Sequence, residues 1–516
     1  MKRSRFPVGR IKALRSSGIR VTLASCRNCE DLFRPTFRCV IACLGTIAMC
    51  LSLAVADELD GLTSMLATEL SDAAEQQQWD RLQKMLQGDV DTGQAQVDGM
   101  TALHWAAYWK HEDAVRWLLD KQCSVNSQTE YEITPLSIAC ENGSPRIVRM
   151  LLAAGADAKQ VLPGGETVLM TAARTGVADS VAALIEAGAD VNATERRKQT
   201  ALMWAAAEGN VEAVDLLLNA GADPNASIRS GFTAMLFAAR EGRIDCAKRL
   251  LAAGVDVNAV MHPASTAGRA PRDGMSALML AVESGHFELA VELVEAGADP
   301  NDQRSGYGPL HALTWVRKTK IGDSVDGDPP PRGSGQVTDM QFVREMVRLG
   351  ADVNLQLKKG SGGRAKLNHR GATPFLLASS TADLALMQLL VELGADPTLT
   401  NVDHCPPLLA AAGIGVTAVG EEPGTEEEVA AAIQYLLELG ADLNVVDDNG
   451  ETAMHGAAYR TYPATVALLG ELGADKNVWN RKNKYGWTPT MIAQGKRPGS
   501  FKPSPETIVA IERLLE

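Results

Sequence analysis

The stretch that decides the fold runs from Gly188-Ala189-Asp190 to Gly221-Ala222-Asp223. Between the two lie Gln199-Thr200-Ala201-Leu202-Met203-Trp204-Ala205-Ala206-Ala207-Glu208 and Val211-Glu212-Ala213-Val214-Asp215-Leu216-Leu217-Leu218. The first run is a short, Ala-rich helix behind a Thr-x-Leu/Met segment. In the second, Val211, Val214, Leu217 and Leu218 fall at helical spacing on one face. Gly221 then ends that helix, because glycine enters the left-handed region without a Cβ penalty. The unit is therefore a turn, two short helices and a glycine stop.

Working outward, the unit recurs. Gly155-Ala156-Asp157, Gly188-Ala189-Asp190, Gly221-Ala222-Asp223 and Gly254-Val255-Asp256 each start 33 residues after the last. Later copies begin at Gly297, Gly350, Gly394, Gly440 and Gly473, with steps of 43, 53, 44, 46 and again 33. A fixed period of this size means stacked supersecondary units, each unable to bury its apolar face alone. Such a solenoid offers a long side-chain surface and no obvious catalytic pocket.

Inside the period, Asp98-Gly99-Met100-Thr101-Ala102-Leu103-His104-Trp105-Ala106-Ala107, Ile133-Thr134-Pro135-Leu136 and Glu451-Thr452-Ala453-Met454-His455-Gly456-Ala457-Ala458 repeat one theme. It resembles the T-P-L-H-x-A signature of the ankyrin repeat, over roughly residues 70 to 516. The resemblance implies a mainly α solenoid, each repeat a β-turn finger and two antiparallel helices. It implies that His104, His311 and His455 hydrogen-bond between turns, and that Trp105 and Trp204 are inter-repeat core. It also implies where a partner docks: the finger residue before the Thr, and the two residues after the Ala-Ala pair. Carried onto this chain, the finger positions are Met100, Ile133, Glu166, Gln199, Phe232, Met275, Tyr307 and Trp487. The helix positions include Tyr108, Trp109, Glu141, Arg174, Glu208, Arg240, Glu241 and Glu283. Since aromatic and Arg side chains anchor interfaces, the expected partner-binding residues are Tyr108, Trp109, Arg174, Phe232, Arg240, Tyr307 and Trp487. The competing reading has the aromatics packing on the neighbouring finger.

Departures from the period divide the chain. Residues 57–97 read as polar N-terminal capping helices, 98–479 as the repeats, and 480–516 as a C-terminal capping repeat. Its run Asn480-Arg481-Lys482-Asn483-Lys484-Tyr485-Gly486-Trp487-Thr488-Pro489 resembles that of exported bacterial ankyrin proteins. Gln122 stands where other repeats carry the Gly, which predicts a left-handed non-glycine residue. Insertions near 259–271 and 355–370 fall between repeats, at the fingers. Those near 317–338 and 414–428 fall between the two helices of one repeat, at the opposite edge. Tolerated surface loops and loops that shape a specific site both fit these positions.

Residues 1–56 hold ten Lys/Arg against Glu30 and Asp31, then an apolar stretch from Cys39 to Val55 ending in Ala54-Val55-Ala56. Basic region, apolar core and A-x-A site are the parts of a secretory signal peptide. The alternative is an uncleaved anchor in the inner membrane through residues 39–56, because the apolar segment approaches the length of a membrane span. No Arg-Arg pair marks a twin-arginine route. The chain's net charge of −13 is the balance of +8 on the leader and −21 on the remainder. An acidic solenoid repels nucleic acid and anionic lipid, so nucleic acid is excluded as a partner and a membrane enters only through an uncleaved leader.

Catalytic chemistry is not written in the chain. No G-x-S-x-G elbow, Walker loop or H-E-x-x-H occurs, and Gly360-Ser361-Gly362-Gly363 lies in an insertion rather than between a strand and a helix. Neither metal nor cofactor is implied. Cys140 and Cys246 replace Ala or Val on helices and read as buried. Cys123 and Cys405 lie at repeat edges, where exposure and a disulfide are both open, though no spacing brings a pair together. Sequons at Asn142, Asn192 and Asn225 coincide with repeat asparagines and read as accidental. The expectation is a non-enzymatic protein-binding scaffold of the cell envelope or exterior, using the concave ankyrin surface. The alternative is a dedicated inhibitor or protective partner of one exported enzyme.

Overall fold

The computed structural model describes residues 68–265, 272–319, 331–498 and 502–516. The leader and its apolar stretch lie outside the described residues. So do parts of the insertions near 259–271 and 317–338.

The described chain is a row of helix pairs. They are α1 (Glu69–Glu75) with α2 (Trp79–Met85), α3 (Ala102–Tyr108) with α4 (Glu112–Asp120), α5 (Pro135–Glu141) with α6 (Pro145–Ala153), and α7 (Val168–Thr175) with α8 (Ala178–Glu186). Next come α9 (Ala201–Glu208) with α10 (Val211–Asn219), α11 (Ala234–Arg240) with α12 (Ile244–Ala252), α13 (Ala277–Glu283) with α14 (Phe287–Glu295), and α15 (Pro309–Arg317) with α16 (Asp339–Arg348). The row continues with α17 (Pro374–Ser380) and α18 (Leu384–Glu392), α19 (Pro407–Ala412) and α20 (Glu426–Glu438), and α21 (Ala453–Arg460) and α22 (Pro463–Glu471). A single turn, α23 (Lys476–Trp479), precedes the last pair, α24 (Pro489–Ala493) and α25 (Pro505–Leu515).

The local chemistry explains these boundaries. Thr134, Thr167, Thr200 and Thr233 sit in extended backbone just before a first helix, and their hydroxyls accept from an N–H of its first turn. That bond satisfies a donor the helix leaves open. Ala102, Leu103, Ala106 and Ala107 are all buried on α3, so small residues let first helices stack closely on both sides. Gly155, Gly188, Gly221 and Gly254 end the second helices at φ of 90, 86, 88 and 89°. Gln122 takes the same role at φ 56°, a left-handed conformation that costs an L-residue about 1–2 kcal/mol.

Two side-chain devices tie each repeat to the next. The Asn192 amide donates to Gly221 O at 2.9 Å and accepts from Asp223 N–H at 2.8 Å. Asn126, Asn258, Asn301 and Asn354 make the same double bond one repeat on. A glycan on Asn192 would break this clamp, which gives the sequon there a structural meaning instead. The second device is histidine. His104 Nδ1 accepts from Thr101 N–H, while Nε2 faces Ile133 O on the next finger at 3.0 Å. His311 and His455 reach Ala372 O and Arg481 O, each at 3.2 Å. Burial lowers all three imidazoles to about 4, so at neutral pH each is uncharged; in His104 and His455 Nδ1 accepts from a backbone N–H and Nε2 donates to the next finger.

Candidate functional site

On a first helix, positions 105, 108 and 109 lie three and four residues apart and share one face. That face is the floor of the groove between fingers and first helices. Trp105 is half-buried there, and its indole N–H reaches across to Gln96 Oε1 of the finger at 2.9 Å. Its ring meets Tyr108 edge-on at 5.7 Å, and Tyr108 meets Trp109 edge-on at 5.0 Å. The indole of Trp109 donates to Glu75 O at 3.2 Å. Tyr108 and Trp109 are still 38% and 40% exposed. Further along, Ile138 and Trp204 are half-buried at the equivalent position. Arg174 lies 6.0 Å over the Trp204 ring and pairs with Glu141 at 2.5 Å. On the finger side of this segment Val97, Tyr131 and Val161 are exposed.

Three expectations need correction. Phe232 was expected at an exposed tip, but it is 9% exposed. Its ring packs on Phe237 at 5.2 Å, and the Arg240 guanidinium lies over both rings at 5.3 and 5.1 Å. Phe237 occupies the groove-floor position and is itself large, so the finger aromatic has a ring to cover it. Trp105 and Trp204 pack against the inter-repeat core but are half-buried at its edge rather than enclosed in it. The core positions of their helices are the flanking residues, and the indoles lie on the groove floor. Cys405 is buried rather than exposed, beneath its own finger, and burial pushes its thiol up. Cys123 is half-buried and its thiol is pushed up to about 11, again by burial. The four described cysteines are free thiols.

Tyr307 and Trp487 are half-buried and already engaged. Tyr307 stands edge-on to Trp315 at 4.8 Å, lies under Arg272 at 5.8 Å, and has its hydroxyl 3.2 Å from His369 Nδ1. Trp487 packs on Tyr485 at 5.4 Å. Of the seven expected anchors, the structure places Tyr108, Trp109 and Arg174 along the first three repeats. Phe232 and Arg240 are stacked on each other, and Tyr307 and Trp487 stand beside an insertion. The groove-floor residues Trp105, Ile138 and Trp204 were missed. Helical spacing from Tyr108 and Trp109 was the signal that would have found them.

The groove changes character after residue 300. Insertion 355–370 folds back onto its floor: Leu357, Ala372, Leu376, Leu377 and Ala410 form a small apolar cluster apart from the main core, with Tyr307 and Leu367 against it. Leu357 N–H donates to Ala372 O at 3.0 Å, and Gly371 N–H to Leu357 O at 2.8 Å. Insertion 414–428 meets it from the other edge. A Cβ added to Gly415 would stand 2.6 Å from the Leu367 Cβ, and Gly415 is at φ 105°. Buried arginines hold this second insertion. Arg460 donates to Pro423 O and Ser380 O, both at 2.9 Å, and Arg497 donates to Tyr459 O and to Val416 O at 2.8 Å. Burial lowers the pKa of both guanidiniums, against the pull of Glu422 and Glu428 on Arg460, and backbone carbonyls take up their N–H groups. Lys318, at the start of insertion 317–338, pairs with Glu428, and Arg317 pairs with Asp383 at 2.7 Å and with Asp339.

No group of three or more His, Cys, Asp or Glu with metal-binding geometry occurs among the described residues. No described helix is long and apolar enough to cross a membrane. What remains is a solenoid of helix-pair repeats whose fingers and first helices frame a groove. The chain belongs to the ankyrin-repeat family. The family model described as ankyrin repeats (3 copies) matches residues 70–161, 136–228, 169–261, 227–304 and 425–500, more than half of the chain. Residues 305–424, left unmatched, are where three of the insertions break the period. Among similar proteins, a transient receptor potential cation channel subfamily A member 1 homolog from Caenorhabditis elegans is 34% identical over 122 residues, 23% of this chain and 9% of that protein. The nuclear factor NF-kappa-B p105 subunit from Gallus gallus is 36% identical over 161 residues, 27% of this chain and 16% of that protein. The palmitoyltransferase Hip14 from Drosophila melanogaster is 35% identical over 78 residues, 15% of this chain and 12% of that protein. The chain thus spans between 9% and 16% of the length of these relatives. The repeats make this chain a protein-binding scaffold.

Proposed function

We propose that this scaffold takes its protein partner in the N-terminal half of the groove, with Trp105, Tyr108, Trp109 and Arg174 as anchors. One observation carries the reading: Tyr108 and Trp109 stay exposed over the first repeats, while farther on the chain's own insertion 355–370 covers the groove floor. The open half also carries two exposed aromatics in edge contact with each other, one of which, Tyr108, also meets Trp105 edge-on. Rigid aromatic anchors at the centre of an interface each contribute about 2 kcal/mol or more, measured by truncation. Phe232 and Arg240 are better read as one supporting stack at the edge of this surface. The basic leader, apolar stretch and A-x-A site favour export, so the partner belongs to the envelope or exterior.

The test is differential capture from an envelope extract, using the wild-type chain and a Tyr108→Ala/Trp109→Ala variant side by side. The expected result is a protein retained by the wild type and lost from the variant, with the variant's circular dichroism unchanged. Capture that survives the double substitution would overturn the assignment. A single stoichiometric enzyme in the eluate identifies a dedicated inhibitor, and several proteins identify a scaffold.

A further inference from the structure

Insertion 355–370 does more than cover the groove floor. Its sequence, Leu355-Gln356-Leu357-Lys358-Lys359-Gly360-Ser361-Gly362-Gly363-Arg364-Ala365-Lys366-Leu367-Asn368-His369-Arg370, holds five cations and no acid, in a chain of net charge −13. Lys358, Lys359, Arg364, Lys366 and Arg370 are all exposed. Among the described residues none of the five takes part in an ion pair, although cations elsewhere in the solenoid commonly do. A basic run is usually a solvated surface. This one differs because the backbone beneath it is fixed.

The fixing is visible atom by atom. Lys366 N–H donates to Gly363 O at 3.1 Å, closing the tip. Tyr485, 122 residues away, donates its hydroxyl to the same Gly363 O at 3.1 Å. Lys358 N–H donates to Gln303 Oε1 at 3.0 Å, Gln303 returns a bond to Gln356 O, and Asn368 Nδ2 donates to Asp403 Oδ1 at 3.3 Å. Leu357 and Ala365 are buried. Holding the cations on an ordered hairpin removes much of the ordering cost that a flexible basic loop carries on binding.

We propose that this hairpin is a second docking surface, for a short acidic segment of a protein. Its anions would sit among Lys358, Lys359, Arg364 and Lys366 around the Gly360-Ser361-Gly362-Gly363 tip. The charge around the hairpin decides the class of ligand. A long polyanion such as a nucleic acid runs on past the hairpin onto a solenoid of opposite preference and is repelled there. A short acidic peptide ends within about a Debye length, roughly 8 Å at physiological salt, and meets the hairpin's own five cations, set against the Asp403 carboxylate beside Gly362. This surface is separate from the aromatic groove of the first repeats, so the two assignments stand or fall independently.

The test measures binding of a fluorescent oligoglutamate peptide to the chain by anisotropy. A single-stranded oligonucleotide of equal charge serves as the second probe. In Lys358→Ser/Lys359→Ser/Arg364→Ser/Lys366→Ser, peptide affinity should fall by about tenfold or more, the sum of four modest surface contributions. In Lys358→Arg/Lys359→Arg it should be kept, and Tyr108→Ala/Trp109→Ala should leave it unchanged. Any of three results overturns the proposal: no peptide binding by the wild type, wild-type affinity in the serine variant, or tighter binding of the oligonucleotide than of the peptide.

Discussion

Replacing Leu357 by Ala isolates the contact that seats insertion 355–370 on the groove floor. The side chain is 2% exposed and belongs to the small cluster with Ala372, Leu376, Leu377 and Ala410. Removing a buried Leu side chain to Ala costs about 2–5 kcal/mol, with the cavity left behind setting the spread. The upper end needs surroundings that cannot collapse. A surface insertion can settle, so about 2–3 kcal/mol is expected, which is roughly 30- to 150-fold in a local opening equilibrium at 1.4 kcal/mol per tenfold. Native-state hydrogen exchange reads this directly, because Leu357 N–H and Gly371 N–H are the donors that close the insertion onto the solenoid. Both should exchange faster by that factor, while amides of α9 and α10 keep wild-type rates. Leu217→Ala is the control. Leu217 is fully buried on α10 within the regular repeats, and its loss should raise exchange around residues 195–258 and leave the insertion alone. Equal acceleration in both regions for either variant, or none at Leu357, would refute the idea that the insertion is a separately seated plug.

Two further outcomes follow from the same contacts and from the leader. Burial holds His104, His311 and His455 at about 4, below the ordinary 6.5; the unfolded chain then binds more protons, so these groups make stability fall as pH drops from 6.5 toward 4. Burial pushes Glu451 up to about 7 from 4.5, so its contribution is present in acid and lost as pH rises through 7; thermal midpoints against pH should lose that component in Glu451→Gln. For the leader, the intact mass of the native protein should lack the first 56 residues, and their retention in a soluble cytoplasmic form would sink the export reading.

The period and its glycine stops are legible because they come from local rules: a residue that must be left-handed, a Thr that must cap, an apolar face at helical spacing. Even the left-handed Gln122 follows from register alone. Which surface residues remain free is a different kind of fact. Phe232 has the same finger address in every copy of the motif, yet it is buried because Phe237 and Arg240 of its own repeat cover it. Trp105 has a core address by resemblance and stands in the groove, because its helix turns it toward the finger that holds Gln96. The destination of insertion 355–370 was hidden for a related reason. Its loop composition gave no hint that Leu357 and Leu367 match an apolar floor made by Leu377 of the next repeat and Ala410 of the one after.

Those long reaches change how the solenoid behaves. In the regular repeats, cross-repeat bonds span about one period: Asn192 to Gly221 O over 29 residues, and Asn210 to Ala173 O over 37. Stability there is close to a sum of neighbour terms, and ends or single repeats can open alone. Past residue 300 a second set of bonds skips neighbours. Arg460 reaches Ser380 O over 80 residues, Arg497 reaches Val416 O over 81, Lys318 reaches Glu428 over 110, and Tyr485 reaches Gly363 O over 122. Each such bond makes the opening of one repeat break contacts in another that is not adjacent, so the second half is driven toward opening as a block. The insertions that break the period therefore divide the chain by mechanics as well as by surface. The half with the open aromatic groove keeps independent, compliant repeats that can adjust to a partner. The half with the basic hairpin is cross-tied, which suits a surface whose binding depends on charges being held in place before the ligand arrives.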